Sequence, residues 1–396
     1  MTSSFADVCS TLDAMTRRRG IDYTLDRLRH VLAELGNPQN QLPPIIHVAG
    51  TNGKGSTIAF MEGMLIENGY RVGKYISPHI QSYCERIQVN QSVISETDFC
   101  RLFHSLSSYF DILTPFELLT VMAFQHFKAF RNIDYILLET GLGGRLDATN
   151  VVHPVVCAIT SIGMDHEAIL GDTIRDIAYE KAGIIKPQTP VVTCQQSPDA
   201  MRVIRDAALK CDTTLCVTAP IALPENSPLT GTYQNENFSI AHATLNELQI
   251  QLKYPIKGHH ISHWGRMTAR SGVLGFENTT VILDVAHNTD GISNLISSVR
   301  SQYPNVPFTV ILGILQTKTV DKIIPQLNRD DIDAYLCPFS DLSHQYADIY
   351  SRYPFVKPWH LTESCPIGRP VTVFTGSHFF ISQLINDYPQ LGPTPI

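Results

Sequence analysis

Residues 45–57 read IIHVAGTNGKGST, and their types and order suit the binding of a phosphate. A short apolar run, Ile45, Ile46 and Val48, passes into three glycines, Gly50, Gly53 and Gly55, which bracket Lys54 and lead to two hydroxyls, Ser56 and Thr57. An amphipathic stretch, Ile58 to Asn68, follows. Strand, glycine-rich turn and helix can present backbone N–H groups and a helix N-terminus to an anion, with a lysine for full charge and a hydroxyl for Mg²⁺. The spacing departs from GxxxxGK[ST], because two residues separate Gly50 from Gly53 and Gly55 stands between Lys54 and Ser56. Three glycines can also simply make a turn; the lysine and paired hydroxyls before a helix favour phosphate.

Other residues could join such chemistry. Glu139 ends the apolar run Ile133 to Leu138 and precedes TGLGGRLDATN, which carries Arg145 and Asp147. A carboxylate at a strand end can hold Mg²⁺ on nucleotide phosphates, or it can cap the next element. His166 follows Asp165 in a loop and could be a ligand, an acid/base or a structural histidine. Ser77 in Ser77-Pro78 reads as a turn start, and Lys181, near a helix end in Tyr179-Glu180-Lys181-Ala182-Gly183, reads locally as a solvated lysine. Asp284 and His287 follow the run Thr280 to Leu283; with Asn288, Asp290 and Gly291 they form either a ligand-facing turn or simple turn chemistry.

The elements that must position these residues alternate between strand and helix. Residues 1–40 predict helix, with Leu25, Leu28, Val31, Leu32 and Leu35 at helical spacing and Gly36-Asn37-Pro38 as a stop. Arg71 to Ile76 predicts a strand, Glu96 to Tyr109 a helix, and Thr114-Pro115-Phe116-Glu117 the capped start of another. Val155 to Ile159 predicts a strand buried on both faces, and Pro190 to Thr193 a shorter one. Helices are expected near Ile174 to Ala182 and Asn237 to Leu248. The alternation restarts near residues 265–280, with strands at Thr280 to Leu283, Phe308 to Leu312, Ala334 to Cys337 and Val371 to Phe374, and helices at Gly291 to Ser301 and Val320 to Leu327. Polar residues collect after strand ends, where open parallel sheets bind ligands.

At 396 residues the chain exceeds one ordinary core, and a boundary near 268 is expected, giving domains 1–267 and 268–396. With 43% hydrophobic and 17% charged residues it is a folded chain, and a formal charge of −7 gives no basic footprint for nucleic acid. The nine cysteines have no CxxC pair or zinc spacing, and residues 1–20 lack an apolar signal region, so free thiols in the cytoplasm and no membrane partner are expected.

Taken together, the motifs resemble the folylpolyglutamate synthase/dihydrofolate synthase family, within the wider Mur ligase family. The resemblance rests on HVAGTNGKGST (47–57), GKYISPHI (73–80), ERI (85–87), TPFE (114–117), ETGLGGRLDATN (139–150), SIGMDHEAILGDTI (161–174), EKAGIIK (180–186), GRM (265–267) and LDVAHNTDG (283–291). It weakens beyond about residue 295. Departures are His263-Trp264 before Gly265-Arg266, and Thr317-Lys318-Thr319 where the family has a lysine between two aspartates.

The resemblance implies an α/β fold, with a P-loop-type N-terminal ATPase domain on a largely parallel sheet and a smaller Rossmann-like C-terminal domain. It implies ATP contacts at Thr51, Asn52, Gly53, Lys54, Gly55, Ser56, Asn237, Arg266 and Asp284, with His287 beside the last. Mg²⁺, expected at two sites, would be held by Ser77, Glu139 and His166 and by a carbamylated Lys181. Thr114, Pro115, Phe116, Glu117, Leu146, Asp147 and Ala148 match segments that line a dihydropteroate site. Lys54, Lys181 and His166 are the expected catalytic residues.

The implied reaction is ligation of L-glutamate to dihydropteroate and to reduced folates, with ATP first converting a carboxylate to an acyl phosphate. Closure of two domains around ATP, and a monomer, are expected. A monofunctional folylpolyglutamate synthase is the alternative. A Mur-type peptidoglycan ligase fits less well, because no UDP-binding domain precedes the phosphate loop. A nucleotide-binding regulator without catalysis is disfavoured by Lys54, Glu139, His166 and Lys181.

Overall fold

The computed structural model describes residues 4–19, 24–224, 227–253, 268–270, 279–315, 320–340, 347–361 and 369–392. The expectations for Gly265, Arg266 and Met267, for His263-Trp264 and for Thr317–Thr319 lie outside these residues. Two compact units form. The first takes 1–163, 167–227 and 235–262, and the second takes 164–166, 228–234 and 263–396. Two short earlier pieces of chain thus belong to the second unit, which a linear reading does not reveal.

The first unit is built on an eight-stranded sheet among the described residues. Its strands are β1 (Ile45–Ala49), β2 (Val72–Tyr75), β3 (Ile87–Val89), β4 (Ser92–Val93), β5 (Tyr135–Glu139), β6 (Val156–Ile159), β7 (Val191–Cys194) and β8 (Leu215–Thr218), in the order β4-β3-β2-β5-β1-β6-β7-β8. Six run parallel, while β3 and β4 pair antiparallel. All five residues of β1 are buried, as expected for a central parallel strand covered on both faces. One core of this unit packs Leu28, Val31 and Leu32 of the helix Asp26–Glu34 against Phe124 and Phe127 of the helix Pro115–Ala129.

The second unit carries β9 (Thr268–Arg270), β10 (Thr280–Leu283), β11 (Phe308–Gly313), β12 (Ile332–Leu336), β13 (Val356–Pro358) and β14 (Val371–Gly376), in the order β13-β12-β11-β14-β10-β9. All are parallel except β9, which runs antiparallel to β10. Its core joins Ile292, Leu295 and Val299 of the helix Thr289–Gln302 to Val310, Leu312 and Val373. Among the described residues every cysteine is a free thiol, and no helix is long and apolar enough to cross a membrane.

The order β2-β5-β1-β6 explains where the polar residues meet. Ser77 follows β2, Glu139 ends β5, Gly50 follows β1 and Thr160 follows β6, so four neighbouring parallel strands deliver them to one edge of the first sheet. Val48 stands opposite Glu139 in the β1–β5 register.

Candidate functional site

In the first unit the glycine-rich segment forms the predicted turn. Gly53 takes a left-handed φ of 91° and is the N-cap of the helix Lys54–Glu67, whose first-turn Ser56 and Thr57 are buried. The turn is pinned from β6. Thr51 N–H donates to the Ser161 carbonyl at 2.8 Å, Thr51 Oγ1 donates to the Gly163 carbonyl at 3.1 Å, and Thr160 Oγ1 donates to the Asn52 carbonyl at 2.7 Å. Asn237, buried on the helix Gln234–Glu247, closes on the same turn: a Cβ added to Gly53 would lie 2.1 Å from its Oδ1. Lys54 Nζ donates to the carbonyls of Gly50 and Thr51 at 3.1 and 3.3 Å, and stands 4.0 Å from Glu139 Oε1. A pinned turn with a lysine over its mouth and a helix N-terminus beneath is a ready anion cradle.

Glu139 is 4% exposed, and its Oε2 accepts the Ser77 N–H at 3.2 Å. A buried carboxylate beside a hydroxyl residue is a hard oxygen donor set, which fits Mg²⁺ or Mn²⁺ better than a thiophilic metal. Lys181 departs from its local reading. It is 4% exposed, not solvated, and its Nζ donates to the Gly50 carbonyl at 2.9 Å. The glycine loop after β5 packs against the same helix end: Arg145 N–H donates to the Glu180 carbonyl at 2.7 Å, and its guanidinium binds Glu180 Oε1.

A cavity of about 320 Å³ in the first unit gathers both segments that the sequence pairs with dihydropteroate. Thr114, Pro115, Phe116 and Glu117 line it from one side and Leu146, Asp147 and Ala148 from another, with Ser77, Gly141 and Leu142 also exposed to it. Thr114 caps the helix Pro115–Ala129 in a reciprocal capping box with Glu117, as its sequence predicts. The Glu117 carboxylate is also held by Arg27, Nε to both oxygens at 3.1 and 3.0 Å. Among the described lining residues Arg86 is the basic one, and its Nε donates to His79 Nδ1 at 2.9 Å. In the sequence Arg86 stands within ERI with no role of its own, and no motif marks Arg27.

In the second unit, Asp165, His166 and His287 place ligand-type atoms within 4.8 Å of one another. His287 Nδ1 donates to the Val285 carbonyl at 2.9 Å, leaving Nε2 to meet Asp165 Oδ2 at 3.3 Å. Asn288 Nδ2 donates to the same oxygen at 3.0 Å, while its own Oδ1 caps the helix Thr289–Gln302 through Gly291 N–H. Burial, reinforced by the charge of Asp165, raises the Asp290 carboxyl above its ordinary range. Asp284 is buried and braces the turn by accepting the Ala286 N–H at 2.7 Å. Asp165, adjacent to the predicted His166, is the residue of this group that the sequence did not single out.

The first sheet, with a glycine-rich turn between a central strand and a helix, and the second, mostly parallel sheet define a two-domain α/β protein of the P-loop type. No family model matches the chain. It is 32% identical over 419 residues to the dihydrofolate synthase/folylpolyglutamate synthase of Bacillus subtilis, covering 92% of this chain and 95% of that one. Escherichia coli FolC in complex with DHPP and ADP superposes with a TM-score of 0.85 at 26% identity, over 97% of this chain and 98% of that one. The bifunctional folylpolyglutamate synthase/dihydrofolate synthase of Yersinia pestis, complexed with AMPPNP and Mn ion, gives a TM-score of 0.81 at 26% identity, over 97% and 98% of the two chains. The chain belongs to the dihydrofolate synthase/folylpolyglutamate synthase family.

Proposed function

We propose that the chain is an ATP-dependent ligase that adds L-glutamate to 7,8-dihydropteroate and to the glutamate tail of reduced folates, acting as a cytoplasmic monomer. The observation that carries the reading is the cavity in which residues 114–117 and 146–148 meet beside Ser77, in the unit that also holds the glycine-rich turn. An aromatic ring, Phe116, with Leu142 and Leu146, supplies apolar surface for a flat heterocycle, and Arg86 supplies a cation for a carboxylate. The FolC complex with DHPP and ADP and the Yersinia complex with AMPPNP and Mn ion support the same ligand classes here.

The reaction needs a carboxylate made acylating. The substrate carboxylate attacks the γ-phosphorus of ATP and ADP leaves, giving an acyl phosphate. The glutamate amine then attacks the acyl carbon, loses a proton, and expels phosphate as the amide forms. Thr51, Asn52, Gly53, Gly55 and Ser56 would hold the triphosphate, with Lys54 neutralising charge on the transferring group. Asn237, Arg266, Asp284 and His287 are the further proposed ATP contacts. Magnesium, at Ser77, Glu139 and His166 and at a second position helped by Lys181 carbamate, would supply further neutralisation of the phosphates. A carbamylated Lys181 nitrogen keeps one N–H, enough to retain the bond to the Gly50 carbonyl. Lys54, Lys181 and His166 are the proposed catalytic residues, 1–267 the ATP-binding domain, and 268–396 the glutamate-ligase domain.

The test is phosphate release from ATP and L-glutamate with dihydropteroate, compared with tetrahydrofolate monoglutamate. Turnover with both is expected. Turnover with the folate alone would make the chain a monofunctional folylpolyglutamate synthase. ATP binding without stimulation by any pterin would overturn the ligase reading.

A further inference from the structure

The imidazole of His47 has no part in the chemistry above, yet its surroundings are specific. It is 0% exposed on β1, three residues before Gly50, and its Nε2 lies 2.8 Å from Thr149 Oγ1. Thr149 Oγ1 in turn donates to Asp147 Oδ1 at 2.5 Å. Burial raises the Asp147 carboxyl, but three backbone N–H groups donate to it and hold it as an acceptor. A hydroxyl has one proton, so the threonine proton goes to Asp147 and the ring proton of His47 sits on Nε2. The other nitrogen, Nδ1, is buried without a hydrogen-bond partner among the described residues. Burial first, and the Lys186 ammonium second, push the His47 pKa down to about 3, so the ring is neutral and donates once.

Asp147 shows what this donation serves. Its Oδ1 accepts the N–H and hydroxyl of Thr149 at 3.0 and 2.5 Å; its Oδ2 accepts the N–H groups of Gly141 and Leu142 at 2.9 and 2.8 Å. A carboxylate offers about four acceptor positions, and this one has four protein donors. Asp147 therefore acts on the loop that walls the cavity it also lines. A buried histidine bonded to a threonine is often no more than a satisfied core group. Here the chain of bonds ends on Gly141 and Leu142, which face the cavity.

We propose that His47 is a positioning residue for the cavity wall: its Nε2 proton, relayed by Thr149, orients Asp147 so that Asp147 fixes the amides of Gly141 and Leu142. One strand would then organise both the phosphate turn that follows it and the wall of the pterin cavity. The inference rests on the proposed pterin occupancy of that cavity.

The test uses the full-length protein with His47→Leu, His47→Gln, Thr149→Val and Thr149→Ser. Steady-state KM is measured for dihydropteroate, ATP and glutamate, together with melting temperature. His47→Leu, which removes one hydrogen bond of the charged network, and Thr149→Val, which removes two, should raise the dihydropteroate KM by at least about tenfold, with the ATP and glutamate KM within about twofold of wild type. His47→Gln places an N–H where Nε2 stood, and it and Thr149→Ser should restore most of the loss. Equal rises for ATP and dihydropteroate, or no rise in either, would overturn the proposal; if His47→Leu does not fold, Thr149→Val decides it. The ¹⁵N shifts of the His47 ring should report a proton on Nε2 and a bare Nδ1 at neutral pH, and the opposite tautomer would overturn the relay. That measurement needs no substrate. A wild-type enzyme that ignores dihydropteroate would remove the functional reading while leaving the relay to be judged by the tautomer.

Discussion

The Nζ of Lys181 donates to the carbonyl of Gly50 at 2.9 Å, fastening the end of the helix Ile174–Ala182 to the first glycine of the glycine-rich turn. At 4% exposure this lysine has given up most of its hydration, so its charge depends on the groups of the fold around it. The carbamylation proposed above would turn this group into an anion and a ligand for a cation.

Lys181→Met keeps the length and apolar stem of the side chain and removes its nitrogen. Turnover should fall at least about 100-fold, the scale for losing a preorganised charge at a phosphoryl-transfer site, while the melting temperature changes by only a few degrees. Native mass spectra in bicarbonate should show one added CO₂ on the wild type and none on the variant. A variant that turns over within about threefold of wild type would reduce Lys181 to a structural strut.

Gly53→Ala should damage the glycine-rich turn twice over. Its φ of 91° is left-handed, which costs an L-residue about 1–2 kcal/mol, and the added Cβ would stand 2.1 Å from Asn237 Oδ1. ATP affinity, measured by calorimetry, should drop at least about tenfold, with a lower melting temperature. Adding Asn237→Ala should relieve the clash and leave the φ cost, so partial recovery of stability separates the two.

Arg27→Ala should both destabilise the protein and loosen the cavity. Glu117 is 4% exposed and shares its carboxylate between Arg27 and the Thr114 N–H, so removing the guanidinium leaves a buried charge short of a partner. A loss of about 3 kcal/mol is expected, at the low end for a broken buried pair because Arg27 is partly exposed. Arg27→Ala with Glu117→Gln should recover part of it in a denaturant titration. No recovery would mean that the pair contributes little.

What could be read from the sequence divides along the range of the interactions. The Thr114–Glu117 capping box is contained in four residues, and its reading needs nothing beyond them. Arg27 lies 90 positions from Glu117, and no local pattern selects it over Arg29, the other arginine of its helix. Lys181 fails in the opposite sense: its neighbours look like a solvated helix end, and burial comes from a turn 131 positions away. The hairpin β3–β4 escapes notice because its strands have three and two residues and its turn is Asn90-Gln91, both at positive φ. Only the asparagine of that pair advertises a left-handed turn. The strand-and-helix alternation survives because buried parallel strands are nearly continuous apolar runs.

The buried imidazole of His47 makes an acid-stability prediction with a definite sign. In the unfolded chain it titrates near 6.5; in the fold, burial and then Lys186 lower its pKa to about 3. Between those values the unfolded state binds a proton that the native state does not, so native stability rises with pH across the window and is lost as pH falls from about 6.5 toward 3. The slope from this one group is about 1.4 kcal/mol per pH unit within the window. Carboxylates titrate in the same range, so the informative measurement is a difference. Denaturant unfolding of wild type and His47→Asn from pH 7 to pH 4 should give a pH slope shallower by about one proton in the variant, whatever its stability at pH 7. Parallel curves would show that His47 gains its proton without unfolding, and that its burial is less complete than the fold indicates.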